Sequence, residues 1–203
     1  MKKKRGVSVR RYCPIMVVVL FLLPLQVYAA PPNTATLNLS RKDVGQGWAA
    51  QVNTTRGSSA EALLEGRPVA QLVASGFRQS NEVRYRRILT GNEVTVPGLI
   101  VVGAAVEQFD TPAHARAAYL QGIEELTADK DFHALNVGAV GLQHGVFVST
   151  MSPQHGMKQF EYDLAFYRGD YAVGLIVWSQ GVNSTTELLR FARVVDGRIQ
   201  RLK

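Results

Sequence analysis

Lys158 to Gln180 reads K-Q-F-E-Y-D-L-A-F-Y-R-G-D-Y-A-V-G-L-I-V-W-S-Q, two alternating apolar runs joined by Gly169-Asp170. Alternation with β-branched and aromatic residues marks strands, and a two-residue loop with glycine first suits a primed hairpin turn of type II′. The turn fixes a register. If Arg168 pairs with Tyr171, then Phe166 faces Val173, Leu164 faces Leu175 and Tyr162 faces Val177, which makes one nearly unbroken apolar face. The other face is mixed: Tyr167 with Ala172, Ala165 with Gly174, Asp163 with Ile176 and Glu161 with Trp178.

Upstream, Leu99 to Val106 is apolar on both faces, as in a central strand covered on both sides. Glu82 to Leu89 alternates, and Trp48 to Thr54 does so weakly. Gly145 to Met151 reads as one more strand, and Phe132 to Gly145 as a glycine-punctuated connection. Asp110-Thr111 before Pro112 is a helix start, followed at helical spacing by Ala115, Ala118, Tyr119, Gly122, Ile123 and Leu126, a smooth face suited to close packing on a sheet. Shorter helical turns are expected near Leu37 to Val44, over Ala60 to Leu64 with Ser59 as cap, and over Val69 to Val73. Ser184 with Glu187 is a capping-box pattern, and Leu188, Ala192, Val195, Ile199 and Leu202 continue as a closing amphipathic helix. Its outward Arg190, Arg193, Arg198 and Arg201 read as a solvated face. The expected fold is α+β: one domain, residues 37–203, with an antiparallel sheet packed by helices and a C-terminal amphipathic helix.

The first 29 residues read as an export signal: Lys2, Lys3, Lys4, Arg5, Arg10 and Arg11 without an acid, then apolar Ile15 to Leu25, then Val27-Tyr28-Ala29. The apolar run is shorter than the roughly 20 residues of a membrane-spanning helix. Cleavage is expected after Ala29 or Ala30, leaving a tether over residues 30–36 and no membrane span, although an uncleaved anchor is an alternative. Six of the seven net positive charges lie in this segment, leaving +1 for the rest. The high pI therefore belongs to the leader, and a nucleic-acid partner is not expected. Cys13, the single cysteine, lies there too, so the remainder has no disulfide, thiolate metal site or cysteine nucleophile.

The order D-V-G-Q-G-W (43–48), a buried strand into F-D-T-P-A-H-A-R-A-A-Y-L (109–120), N-V-G-A-V-G (136–141), F-Y-R-G-D-Y-A-V-G-L (166–175) and a final helix resembles small secreted or lipid-anchored bacterial domains of the PsbP-like and mycobacterial LpqN type. The resemblance implies an extracytoplasmic binding or accessory role and offers no catalytic residues. The lipid-anchor cysteine of anchored members is absent.

Motifs for chemistry are sparse. Gly45-Gln46-Gly47-Trp48-Ala49-Ala50 fits a loose dinucleotide fingerprint but follows polar Ser40 to Asp43 rather than a buried strand. Arg168-Gly169-Asp170 is an adhesion-type tripeptide that doubles as good turn chemistry. His114, His133, His144 and His155 show no short metal spacing, leaving only a pairing of His144 with His155 in three dimensions, and no cofactor motif is present. The strongest candidate is the mixed face of the hairpin. Glu161 and Asp163 point the same way, about 7 Å apart, near Trp178 and Tyr167, with Arg84 and Arg86 placed to join the site or, on the alternative reading of a half-solvated sheet face, to pair with the acids across strands. This arrangement suits binding of a small molecule, with an envelope protein as the alternative partner. A hydrolase using Glu161 and Asp163, and an adhesion module displaying Arg168 to Asp170, are the rivals.

Overall fold

The computed structural model describes residues 33–89, 96–154 and 156–202. The leader, His155 and its pairing with His144 lie outside these residues. The compact unit spans Pro32–Lys203. Its elements are α1 (Thr34–Leu37), α2 (Arg41–Val44), β1 (Trp48–Gly57), α3 (Ser58–Glu65), α4 (Val69–Ala74), β2 (Phe77–Arg87), β3 (Gly98–Phe109), α5 (Pro112–Ala128), β4 (Phe132–Leu135), β5 (Gln143–Gln154), β6 (Met157–Arg168), β7 (Tyr171–Gln180) and α6 (Thr185–Gln200).

All seven strands form one antiparallel sheet in the order β1-β2-β3-β7-β6-β5-β4. The hairpin has the expected register throughout, from Arg168 opposite Tyr171 to Glu161 opposite Trp178. Gly169 takes φ 55°, the positive value a primed turn needs at its first central position.

Alternation then divides the sheet into two faces. On the first, Phe166, Leu164, Leu175, Val177 and Val102 are all but inaccessible and pack against Leu188, Phe191, Val195 and Ile199 of α6 and against Leu37, Leu39 and Val44 of the α1–α2 segment. On the second, the smooth face of α5 lies over β6, β7 and β3, and Ala62, Leu72, Phe77, Phe109, Ala115 and Ala172 form a smaller core with α3 and α4. The α+β architecture is as the alternation requires. No helix among the described residues is long and apolar enough to cross a membrane.

Several local expectations change. Residues 33–36 are not tether: Asn33 caps α1 through its Oδ1, and Thr34 is fully buried. The cap of α3 is Gly57 rather than Ser59, which lies inside the helix. Ser184 makes no side-chain cap, and the Thr185 amide donates to Asn183 Oδ1. The capping box forms at Ser40 and Asp43. The connection after α5 contains the short edge strand β4. Gly45 and Gly47 lead into β1 rather than a helix, so they frame no dinucleotide site. Arg198 is not solvated; it binds Asp43 and the Asn38 carbonyl and fastens the N-terminal segment to α6.

Candidate functional site, a groove between helix α5 and the sheet

Helix α5 begins cleanly because the Thr111 hydroxyl accepts the His114 amide and Pro112 occupies the first turn. Its small residues then let it approach the second face, where the floor is equally small: Gly103, Ala105, Ala165 and Gly174. The two surfaces do not close completely. One hollow of about 410 Å³ lies toward α3 and α4, and another of about 490 Å³ opens toward Asp163; Ala105, Gly122, Glu125, Ala165 and Gly174 line both, so the hollows meet under the middle of α5.

Each hollow contains a carboxyl group in an unusual state. Glu107, from β3, lines the first hollow and has no hydrogen-bond or ion-pair partner among the described residues. Burial pushes its carboxyl up to about 7; Glu61 and Glu65 add to the shift, and Arg67 opposes it. Asp163, from β6, lines the second. Its Oδ2 is buried without a partner, and burial, reinforced by Glu161, pushes this carboxyl up to about 7 as well. Glu125 on the roof accepts a bond from Gln121 Nε2 at 2.8 Å.

The six residues singled out by the sequence divide. Asp163 and Arg84 line the groove; Glu161, Trp178, Arg86 and Tyr167 line neither hollow. Glu161 and Trp178 are direct cross-strand neighbours of one another, and Trp178 Nε1 is buried without a partner. Tyr167 meets Tyr119 of α5 as a tilted ring pair, centroids 5.4 Å apart. The expected pairing of Arg84 and Arg86 with the acids does not occur. Arg84 shares a row with Asp163, but Gly103 and Ile176 stand between them, and Arg84 instead bonds Glu82 at 3.3 Å. Arg86 is separated from Glu161 in the same way by Val101 and Trp178.

Glu107, Glu125 and Gly122 were outside the expected site. Glu107 was visible as the lone acid in L-I-V-V-G-A-A-V-E-Q-F, a signal the hairpin's own acids overshadowed. Arg168 is drawn in rather than displayed: its side chain is 17% exposed and bonds Asp196 of α6 and the Gly141 carbonyl. His144 Nδ1 faces the Val140 amide at 3.4 Å, and no cluster of three or more metal-ligating side chains occurs among the described residues. A third hollow, about 560 Å³, lies on the first face beside Trp48 and Tyr85, but the Tyr85 and Ser40 hydroxyls there already bond Leu39 O and Asp43.

No family model matches the chain, and no curated protein does. Among solved structures, the fold is similar to the extracellular domain of PknH from Mycobacterium tuberculosis, with a TM-score of 0.55 and 11% identity over 85% of this chain and 97% of that one. This likeness is one of fold. The similarity to PsbP-like and LpqN-type domains rests on the spaced motifs alone.

Proposed function

We propose that the chain is an exported, non-enzymatic binding domain whose ligand is a small molecule held in the groove between α5 and the sheet. One observation supports this above the others: Gly122 and Gly174 line both hollows, and neither is required by its backbone or its neighbours. A Cβ at either position would meet nothing within 4 Å, and neither has a positive φ. A glycine inside a helix costs about 1 kcal/mol relative to alanine, and a glycine inside a central strand weakens it as well. Two such residues at the junction of two hollows are accounted for if the junction must stay open. Export is inferred from the basic and apolar leader and accords with a fold shared with an extracellular domain.

The hydrolase reading has its own supporting observation, an Asp163 carboxyl pushed up to about 7 by burial and by Glu161. Against it, Glu161 does not line the groove, so the two carboxyls do not address one substrate there. The adhesion reading loses Arg168 to Asp196.

The test is a thermal-shift screen of the chain from Ala30, which contains the whole compact unit, against metals, sugars, lipids, haem, nucleotides and amines, repeated on Gly174→Leu. The expected result is a ligand that raises the wild-type midpoint and leaves the plugged variant unmoved. A panel with no stabilising member, or shifts identical in Gly174→Leu, would overturn the groove as the site.

A further inference from the structure

The groove's charge inventory is one-sided. Two arginines and His114 line it, and all three are already matched: Arg67 by Glu65 at 3.3 Å, Arg84 by Glu82 at 3.3 Å and His114 by Asp110 at 2.5 Å. Four acids that line it form no direct ion pair among the described residues: Glu107, which Arg67 influences without contact, and Glu125, Asp129 and Asp163. Outside the leader the chain is nearly neutral, so this excess is local. The acids are also ordered in space. Glu125 lies in the last turn of α5 and Asp129 is the residue that ends it, four positions on. Glu107 and Asp163 lie in opposite hollows, two strands and four residues apart by the sheet register, about 16 Å in all.

Between these acids the surface is apolar, with Ala105, Ala165 and Gly174 as floor and Gly122 as roof. A mineral cation gains nothing from that floor, and a neutral lipid brings no positive charge to meet the acids. We propose, building on the groove reading above, that the ligand is a linear aliphatic polyamine: its methylene segments lie on the alanine and glycine floor, and its ammonium groups meet Glu107 at one end, Asp163 with Asp129 at the other and Glu125 between. An extended tetraamine of the spermine kind is about as long as the separation of the end carboxyls. The Asp163 carboxyl, which lines the second hollow, anchors that end through a charge-assisted hydrogen bond.

The deciding experiment is isothermal titration of spermine and spermidine into the chain from Ala30 and into Glu107→Gln, Asp163→Asn and Gly174→Leu, with 1,12-dodecanediol as neutral isostere and Mg²⁺ as compact cation. Expected are spermine binding at least tenfold tighter than either control, at least tenfold weakening in each carboxamide variant and loss in Gly174→Leu. Circular dichroism identifies any variant that has failed to fold, and its place is then taken by Glu125→Gln. Spermine binding that Gly174→Leu leaves intact would reduce it to surface ion pairing and overturn the proposal. Failure of spermine while the diol, or a screen ligand, binds in a Gly174→Leu-sensitive way would refute the polyamine and leave the groove standing. If nothing binds, both fall.

Discussion

Arg198 of the last helix grips Asp43 of the second through one nitrogen, 2.8 Å from Oδ2 and 2.9 Å from Oδ1, across 155 positions of chain. Both side chains are largely shielded from water, and Arg198 also donates to the Asn38 carbonyl. This contact, rather than the weak helical preference of four-residue segments, fixes α1 and α2 over the first face. Arg198→Ala leaves a shielded carboxylate and a carbonyl without their partner, so a loss of about 2–3 kcal/mol in denaturant unfolding is expected. Burial alone would raise the Asp43 carboxyl, but bonds from Ser40 and Arg198 hold it below its ordinary value. The resulting stability is present above about pH 4 and is lost as the pH falls through the lowered folded value. The acid limb of the wild-type stability curve should therefore flatten in Asp43→Asn.

Glu107 and Asp163 act in the opposite direction. Both carboxyls are raised to about 7 in the folded chain, whereas in the unfolded chain they ionise near 4. Below about pH 4 both states hold the protons and nothing is lost; as the pH rises toward 7 only the folded state still holds them, and stability falls. Above about 7 the loss is complete and constant. Urea unfolding of the ligand-free domain between pH 4.5 and 8 should show this decline, and Glu107→Gln with Asp163→Asn should remove most of it. An unchanged slope in the double variant would mean that other groups govern this limb.

How much of this was legible depended on whether the relevant contact was local. The β6–β7 register followed from Gly169-Asp170 and from strict alternation, and the start of α5 from Thr111-Pro112, because turn and cap chemistry act over two to four residues. Strand β4 was missed because Phe132–Leu135 has four residues and owes its order to pairing with β5. Arg198 was assigned to solvent because helical spacing alone points it outward, and only the folding back of α2 covers it. In the groove, Asp163 was readable from its own strand. Its distance from Arg84 was not, since two strands that come later in the chain or far from it in sequence lie between them. Helical spacing reads Gly122 as a smooth-face residue; that its Cβ position is empty space is a property of the assembled layers.

Two glycines should respond to alanine with opposite signs. Gly122 lies inside α5 with open space at its Cβ position, so Gly122→Ala should stabilise by about 0.5–1 kcal/mol. Gly76 has φ 79°, and a Cβ there would approach Asp110 Oδ1 and His114 Nδ1 to 2.2 Å. Those two side chains are joined at 2.5 Å directly over Gly76, and the Asp110 amide donates to the Gly76 carbonyl. Gly76→Ala must distort the backbone and displace the pair, with an expected loss of about 2 kcal/mol. Thermal midpoints of the two variants, one above wild type and one below, check both statements.

Arg168 separates a structural role from a display role. Its guanidinium bonds both carboxylate oxygens of Asp196 and the Gly141 carbonyl, and Gln200 Nε2 bonds the same carboxylate at 2.9 Å. Asp196 is among the few buried charged side chains, so removing its arginine strands a carboxylate between the sheet and α6. Arg168→Ala should cost about 3 kcal/mol, whereas Arg168→Lys should recover only part of this because an ammonium cannot reproduce the two-pronged contact. Asp170→Ala, at the other end of the tripeptide, touches none of these partners and should change unfolding by less than about 0.5 kcal/mol. If the tripeptide were an adhesion site, both changes would abolish cell attachment in an immobilised-protein assay without a large effect on stability. A large stability loss in Arg168→Ala alone, with attachment at background for wild type and Asp170→Ala alike, assigns the arginine to the fold.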